Sequence, residues 1–268
     1  MKIGKSSEFV SSISTANADT IVVRGHDLCK ELIGQLSLTE HFWLLITGKR
    51  PSAAQARVLD ACLVSIAEHG LVPSVQAARM TYAAGPEAMQ GAVAAGILGC
   101  GSVVLGTAEN AGRYIVSILE RAENGDLIAA AHAVSKDYRA KRMPFPGYGH
   151  PLHKDADPRA ARLLAVAEEV GLSGTHAAAA KAGERAIFEI TGKNLVLNVS
   201  GAIPAVLLDA QFPLTGLKGV PILARAASLV AHLVEEQTRP IGFLLSGAAE
   251  EAAGYEGPLP DGFKPESH

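Results

Sequence analysis

Apolar residues recur along this chain at steps of three and four residues, the spacing that places them on one face of an α-helix. Leu28, Leu32 and Leu36 follow this spacing, and Thr39 stands before the next apolar group as a helix cap. The period predicts helical hairpins in the first third of the chain, and further helices over 53–69, 72–83, 87–99, 109–123, 127–140, 158–170, 176–191 and 221–245. Signals for strands are nearly absent, so the pattern predicts an all-α fold.

Two segments interrupt the helical pattern, residues 142–157 and residues 192–201. Both combine glycine or proline with polar groups, and both lie beside long predicted helices. Loops held by rigid helices commonly carry binding and catalytic residues. We therefore expect these two segments to form the walls of a cleft.

Composition narrows the classes of ligand and the cellular setting. The chain has 268 residues, 48% of them hydrophobic and 19% charged, which is enough for one large globular unit or two closely packed ones. The net charge is −3 with basic and acidic residues interspersed, which argues against nucleic acid and membrane partners. The three cysteines are widely spaced, and no targeting segment precedes the helical pattern, so we expect a cytoplasmic protein.

The richest concentration of chemical groups lies in residues 146–160. Gly147 and Gly149 allow a backbone to approach a ligand closely, and the neighbouring prolines restrict the turn, so His150 would be presented rigidly. Arg159 follows an Asp-Pro pair and can present a planar two-pronged donor to a carboxylate. This loop is the predicted site of chemistry.

Several motifs resemble the citrate synthase superfamily. Residues 147–150, followed by Lys154 and by the Asp-Pro-Arg-Ala of 157–160, are similar to the substrate-site loop of citrate synthases. Residues 24–34, 194–199 and 239–243 resemble further segments of that family in the expected order. The chain resembles above all the short relatives, the citryl-CoA lyases and the C-terminal citrate-synthase-like part of ATP citrate lyase.

The resemblance implies a fold, a partner set and a reaction. It implies a citrate-synthase-like helical protein with a large domain of residues 1–106 and 212–268, a small domain of residues 107–211, and the active site in the cleft. It implies a homodimer or a higher homo-oligomer that binds oxaloacetate or citrate together with a coenzyme A thioester as substrate. No metal or nucleotide cofactor is expected.

The resemblance also implies roles for individual residues. His150 would contact the oxaloacetate carbonyl, or the tertiary hydroxyl of the citryl group, and transfer a proton there. His69 would be a second citrate-contacting histidine with a catalytic role, and Arg159 and Arg239 would hold the substrate carboxylates. The groups implied to meet coenzyme A are Lys154, Lys193, Gly147 and Gly149, with the 141–142 pair as additional basic groups.

Two positions depart from the family pattern. Ser200 stands where the family has an aspartate, and a serine hydroxyl cannot remove the weakly acidic methyl proton of acetyl-CoA. Val104 stands where synthases have a histidine, a change that the lyase branch shares. We therefore expect a citryl-CoA lyase-like enzyme that cleaves citryl-CoA to acetyl-CoA and oxaloacetate, or runs the reverse condensation, with Ser200 and bound water supplying the proton that the enolate needs in cleavage.

Other interpretations remain open at this point. The loop's two histidines and two aspartates also permit a metal site, and His69 can be a residue that interacts with the C-terminal dipole of a helix. Arg239 can be part of a structural kink, paired with Glu235 or Glu236, and Ser200 can be an ordinary turn residue. The function can also be that of an enzyme for another pair of acyl-CoA and 2-oxo acid, or of a noncatalytic protein that binds citrate or coenzyme A.

Overall fold

The computed structural model describes residues 10–101, 105–150 and 152–263, and most of this chain is helical. The long helices are α1 (Leu38–Thr47), α2 (Ala53–Ala67), α3 (Pro73–Ala84), α4 (Met89–Leu98), α5 (Thr107–Arg121), α6 (Leu127–Ala140), α7 (Pro158–Glu169), α8 (Thr175–Thr191), α9 (Val199–Asp209), α10 (Gly219–Glu236) and α11 (Gly242–Ala252). The prediction of an all-α fold is confirmed.

Capping residues define where the first helices begin. Ser37 starts α1 and forms a capping box with Glu40, and Ser52 starts α2 in the same way with Gln55. The prediction that Thr39 is the cap was wrong, because its hydroxyl donates instead to the Asp60 carboxylate, 2.9 Å away.

The N-terminal segment departs from the predicted helical hairpins. A small antiparallel sheet forms from β1 (Ser14–Ala16), β2 (Ile21–Val23) and β3 (His26–Asp27). Asn17 supports the first turn, where its side-chain oxygen accepts from the backbone N–H groups of Asp19 and Thr20. Gly25 has φ +85° in the second turn, a conformation that glycine adopts easily. Local turn chemistry therefore gives residues 14–27 a sheet, whereas Leu28–Leu32, where the apolar period begins, form a short π-helix.

The described chain divides into two compact units. Unit 1 is Met1–Glu68 with Cys100–Arg225, and unit 2 is His69–Gly99 with Ala226–His268. The predicted domains concern the parts that move when the protein closes over a ligand. That division, at 106/107 and 211/212, stays a prediction.

Helix α9 lies at the centre of unit 1, where it packs against α2, α5, α7 and α8. Its sequence did not predict a helix, because it is buried almost all around and therefore lacks an amphipathic period. It also contains Gly201 and Pro204, residue types that disfavour the interior of a helix. Burial against four helices outweighs these local preferences and fixes the start of α9 beside the 146–160 loop.

Unit 2 contains α3, α4, α11 and the C-terminal part of α10. Its core includes Val75, Ala78, Tyr82, Leu229 and Leu233. The single helix predicted over 221–245 is two helices, because the chain reverses between Glu236 and Gly242, around the Arg239-Pro240 pair. The reversal places Arg239 in a turn.

One helical segment in the described chain, Leu214–Glu236, has the length and mean hydropathy (1.4) to cross a membrane. Part of it is buried inside the protein, and Arg225 lies in its middle with 2% of its surface exposed. Core helices of globular proteins have the same apolar composition. We interpret the segment as a core helix.

Candidate active site

The loop that carries His150 is joined to the start of α9 by backbone contacts. Asn198 donates its N–H to the Gly147 carbonyl (2.9 Å) and its side-chain amide to the Gly149 carbonyl (2.6 Å). Gly149 N donates to the Val196 carbonyl (2.7 Å). Gly147 has φ +87°, and a Cβ there would lie 2.6 Å from the Gly201 Cα. Both positions require glycine because two backbones meet there.

Tyr148 anchors the same loop in the core of unit 1. Its ring is buried and packs edge-on against Tyr114, with ring centroids 5.5 Å apart. Its hydroxyl donates to the Ala180 carbonyl on α8 (2.8 Å), and burial raises the pKa of Tyr148 well above its ordinary value. The phenol therefore serves as an anchor for the loop.

The protonation pattern of His150 follows from its hydrogen bonds. Nδ1 accepts from the backbone N–H groups of Leu152 and His153, both at 3.1 Å. An acceptor at Nδ1 places the proton of the neutral ring on Nε2. The ring also stacks on His153, with centroids 4.5 Å apart. His150 is therefore fixed with an N–H donor at Nε2.

The Arg159 guanidinium lies beside the Nε2 atom of His150. Its Nη2 lies 3.4 Å from His150 Nε2. Since both atoms carry protons in the tautomer above, two groups able to donate hydrogen bonds lie next to each other here. Neighbouring donors of this kind suit a carbonyl, alkoxide or carboxylate oxygen.

Asp157 holds Arg159 in this orientation. Its carboxylate is fully buried and accepts from Arg159 at N (3.0 Å), Nε (3.0 Å) and Nη2 (2.9 Å), and from Val199 N (2.9 Å). Burial alone would raise the pKa of Asp157, but the hydrogen bonds from Arg159 and Val199 outweigh it and hold the pKa below its ordinary value. The carboxylate joins the start of α7 to the start of α9. The sequence analysis did not assign Asp157 this role.

These bonds bear on the metal-site interpretation. Two N–H groups occupy the Nδ1 lone pair of His150, and Arg159 and Val199 occupy both oxygens of Asp157. In the described part of the chain, no three histidine, cysteine or acidic side chains are grouped as a metal site requires.

Ser200 lies in the first turn of α9, immediately after the segment that binds the loop. Asn198 caps this helix, and its side-chain oxygen accepts from the N–H groups of Ser200 (2.9 Å) and Gly201 (3.2 Å). Ser200 therefore belongs to a helix rather than to a turn. Val104 lies outside the described residues.

The predicted coenzyme A lysines lie in the loop and just after α8. Lys154 Nζ donates to the His150 carbonyl (3.1 Å), and the Lys154 carbonyl accepts from the Asn194 side chain (3.1 Å). Lys193 is exposed and donates its backbone N–H to Thr191 Oγ1 (3.1 Å). Lys154 thus braces the loop, and contact of either lysine with coenzyme A stays a prediction.

His69 and Arg239 belong to unit 2, whereas the other predicted site residues belong to unit 1. Helix α2 ends at Ala67 and the backbone of Glu68 is extended, so His69 lies beyond the helix rather than in its last turn. The glutamates that could have paired with Arg239, Glu235 and Glu236, bind Arg79. The roles of His69 and Arg239 in catalysis and carboxylate binding stay predictions.

One candidate residue was missed by the sequence analysis. Arg225 lies within α10 with 2% of its surface exposed, and its Nε and Nη1 have no hydrogen-bond partner among the described residues. Burial lowers the pKa of its guanidinium, and the negative charge of Glu68 opposes this shift. Buried donors without partners are costly and indicate a missing acceptor. The signal in the sequence was a single arginine inside a long apolar helix.

The chain matches a known protein family over most of its length. Residues 6–242 match the citrate synthase C-terminal domain family. The chain belongs to the citrate synthase family. Its relatives in that family, as named below, are enzymes that form or cleave carbon–carbon bonds.

Two curated members of the citrate synthase family are similar over part of their length. The citrate/2-methylcitrate synthase of Bacillus subtilis is 26% identical over 212 residues, which cover 75% of this chain and 53% of the relative. The putative citrate synthase 2 of Mycobacterium tuberculosis is 28% identical over 216 residues, which cover 78% of this chain and 54% of the relative. The chain spans about half the length of these relatives.

Solved structures of the citrate synthase fold match more of the chain. Citryl-CoA lyase from Hydrogenobacter thermophilus has a TM-score of 0.84 and 32% identity, covering 96% of this chain and 97% of that one. ATP citrate lyase from Methanothrix soehngenii, solved with citrate and coenzyme A, has a TM-score of 0.77 at 21% identity, covering 98% of this chain and 44% of that one. The second match shows the fold alone.

Proposed function

We propose that this protein is a citryl-CoA lyase-like enzyme that cleaves citryl-CoA to acetyl-CoA and oxaloacetate, or runs the reverse condensation. The observation that carries this proposal is the pair of neighbouring donors, His150 Nε2–H and Arg159 Nη2–H, beside the start of α9. The match to citryl-CoA lyase over nearly the full length of both chains supports the same reaction class.

Cleavage of citryl-CoA breaks one carbon–carbon bond. The tertiary hydroxyl gives its proton to bound water, its oxygen becomes the oxaloacetate carbonyl, and the bonding electrons move onto the thioester as an enolate. The enolate then takes one proton to become acetyl-CoA. The reaction therefore needs stabilisation of negative charge first on the hydroxyl oxygen and then on the thioester oxygen.

His150 and Arg159 are suited to the first of these charges. In its Nε2–H tautomer His150 donates a hydrogen bond and does not accept a proton, so its role in cleavage is to stabilise the developing alkoxide. In the condensation direction the same N–H polarises the oxaloacetate carbonyl. This role differs from the proton transfer by His150 that the family resemblance implied.

Ser200 bears on the proton step at the methyl carbon of acetyl-CoA. A hydroxyl with an ordinary, high pKa is a poor base, so removal of the methyl proton is expected to be the slow step of condensation. In cleavage the same step runs in the opposite sense, and Ser200 with bound water donates the proton to the enolate.

The carboxylates of the substrate require cationic groups. Within the part of the chain that the structure describes, the Arg159 Nη1 makes no hydrogen bond to Asp157, and the buried Arg225 has two nitrogen atoms without a hydrogen-bond partner. Arg239 completes the proposed carboxylate-binding set. A guanidinium binds a carboxylate through two parallel hydrogen bonds, which lysine cannot reproduce.

The proposal also includes association of the chain into a homodimer or a higher oligomer. Phe243 and Leu244 on α11 are both 70% exposed, and Val234 on α10 is 55% exposed. Exposed large apolar side chains of this kind are often found at protein interfaces. Light scattering of the purified protein tests this part.

The decisive test is incubation of the purified protein with citryl-CoA, with oxaloacetate followed through NADH oxidation by added malate dehydrogenase. We expect release of oxaloacetate above the spontaneous rate, and a loss of about 100-fold or more in His150→Ala, as for removal of an oxyanion donor. His153→Gln is the matched control, because His153 contributes its backbone N–H to His150 and retains it in the variant.

The outcomes separate the candidate functions. Equal rates in the parent and in His150→Ala would contradict the proposed mechanism. Thermal stabilisation by citrate and coenzyme A without consumption of thioester would indicate a binding protein. Consumption of another acyl-CoA, but not of citryl-CoA, would indicate the same chemistry on a different substrate pair.

A further inference from the structure

The reversal between α10 and α11, which carries Arg239, is held by one buried side chain from α3. Arg79 is 3% exposed and donates from Nε to Glu236 Oε2 (2.5 Å), from Nη1 to Glu235 Oε2 (2.8 Å) and from Nη2 to the Arg239 carbonyl (2.9 Å). The guanidinium thus contacts both glutamates that precede the reversal and the backbone of Arg239 itself.

Glu236 fixes the other end of the same reversal. Its side chain is 2% exposed, and its Oε1 accepts from Ile241 N (2.9 Å) and Gly242 N (2.7 Å) at the start of α11. A Cβ on Gly242 would lie 2.6 Å from the Ala83 Cβ, so α11 begins against α3 with no space between them. The segment that contains Arg239 is therefore held at both ends.

Without Arg79, Glu235 would be the natural partner of Arg239. The two residues are four apart at the end of a helix, a spacing at which oppositely charged side chains pair. The hydrogen bond from Arg79, and then its charge, hold the pKa of Glu235 below its ordinary value, and Arg239 adds a smaller lowering. Arg239 is exposed, and its guanidinium makes no hydrogen bond to the described residues. Arg79 thus occupies the carboxylate that would otherwise bind Arg239.

We propose that Arg79 is a positioning residue for Arg239: it holds the Arg239 carbonyl and occupies Glu235 and Glu236, which keeps the Arg239 guanidinium available for a substrate carboxylate. This inference rests on the proposed function, in which Arg239 contacts a carboxylate of citrate.

Arginine is required at position 79 because its three acceptors lie in different directions around one planar group. A lysine ammonium is a single point of charge and cannot hold three such acceptors in fixed positions. Buried ion pairs add little to stability compared with apolar residues of the same size, so stability alone does not explain this pair. The pair is explained by the fixed position that it gives to the segment between α10 and α11.

The test measures citrate binding and coenzyme A binding separately, by calorimetry, in Arg79→Lys, Glu235→Gln and the Arg79→Lys/Glu235→Gln double variant. We expect Arg79→Lys to weaken citrate binding at least about tenfold, since a carboxylate then loses a charged partner. Coenzyme A binding should stay within about twofold of the parent. Glu235→Gln alone should bind citrate like the parent, because Arg239 is not captured there.

Restored citrate affinity in the double variant would distinguish a positioning role of Arg79 from a purely structural role. In the double variant no carboxylate at position 235 competes for Arg239, so citrate affinity should return to within about threefold of the parent while the melting temperature stays lowered. A general structural defect in Arg79→Lys would not be restored by a change at the exposed Glu235. Failure of restoration overturns the proposal.

A second pair of variants covers the case in which Arg79→Lys does not fold. Arg79→Gln/Glu236→Gln leaves no buried charge and retains an acceptor for the start of α11. It still releases Glu235, so citrate binding should weaken and should return when Glu235→Gln is added. Parent-like citrate binding in the first of these variants overturns the proposal.

The result for Arg239→Ala separates this proposal from the proposed function. Weaker citrate binding in Arg239→Ala with parent-like binding in Arg79→Lys overturns the role of Arg79 and leaves the carboxylate contact intact. Parent-like binding in Arg239→Ala overturns both the role of Arg79 and that contact. The citryl-CoA cleavage assay with His150→Ala judges the remainder of the proposed function independently.

Discussion

Replacement of Asp157 by asparagine tests the bond network that joins the His150 loop to α9. The side chain keeps its size, so no cavity forms, but one of the two acceptor oxygens becomes an amide that donates. That change removes two of the four hydrogen bonds that Asp157 accepts, and it leaves the Arg159 guanidinium without its counter-charge. We expect the variant to be less stable and to hold Arg159 less firmly in its orientation.

The expected magnitude follows from burial. Removing one partner of a buried ion pair costs about 3–5 kcal/mol. Arg159 is 23% exposed, so water partly compensates its charge and we expect a loss near 3 kcal/mol, the lower end of that range. For a chain of this size, each kcal/mol lowers the melting temperature by roughly 2–4 °C. The variant should therefore melt roughly 6–12 °C below the parent.

The pH dependence of this difference has a definite sign. The pKa of Asp157 is lowered in the folded protein, so its stabilisation is fully present above the unfolded pKa of about 3.9. It is lost as the pH falls through the still lower folded value. The difference in melting temperature between parent and variant should thus stay constant near neutral pH and shrink below about pH 4.

The assay is thermal unfolding of the parent, Asp157→Asn and Asp155→Asn over a range of pH. Asp155 is exposed two residues earlier in the same loop, so its variant should differ from the parent by no more than about 0.5 kcal/mol. A melting temperature of Asp157→Asn within about 2 °C of the parent near neutral pH would refute the reasoning.

Three further predictions test other contacts. Gly201→Ala should destabilise the protein by about 1–3 kcal/mol and slow cleavage of citryl-CoA, because its Cβ would lie 2.5 Å from the Gly147 carbonyl oxygen. The control is Gly247→Ala, whose Cβ would have no atom within 4 Å. Equal melting temperatures of the two variants would contradict this prediction. Asp209→Asn should cost about 1–2 kcal/mol in urea unfolding near neutral pH, because the carboxylate caps α8 through three backbone N–H groups. Burial would raise the pKa of Asp209, but the hydrogen bonds from His176 and these N–H groups hold it low, so this loss should disappear at acidic pH rather than persist. Arg225→Met should melt at or above the temperature of the parent without ligand, since an incompletely paired buried charge is removed, yet lose the stabilisation by citrate; a persistent citrate shift would argue against the proposed role.

Much of the helical architecture could be predicted from the sequence. Helices α2, α3, α6 and α8 lie close to their predicted ranges, because each has an apolar face that follows the helical period. The glycine, histidine and arginine pattern of the 146–160 loop indicated both the family and the segment that now lies beside α9. These properties depend on residues close together in the chain, which is why local spacing reveals them.

Other features depended on contacts between distant residues. Helix α9 forms although it contains Gly201 and Pro204, because four other helices bury it. The tautomer of His150 depends on the conformation of the loop, and the orientation of Arg159 depends on a carboxylate that also binds Val199.

The sequence by itself determined which chemical groups this protein has and where most of its amphipathic helices lie. The tertiary structure decided which of those groups are already paired and which remain available for a ligand. Glu235 could have bound Arg239 from its own helix, yet it binds Arg79 from α3. Arg225 resembles any other charge in the sequence, yet burial leaves two of its nitrogen atoms without a partner among the described residues. Pairing and burial are set by the packing of helices that are far apart in the chain, so no local pattern could reveal them.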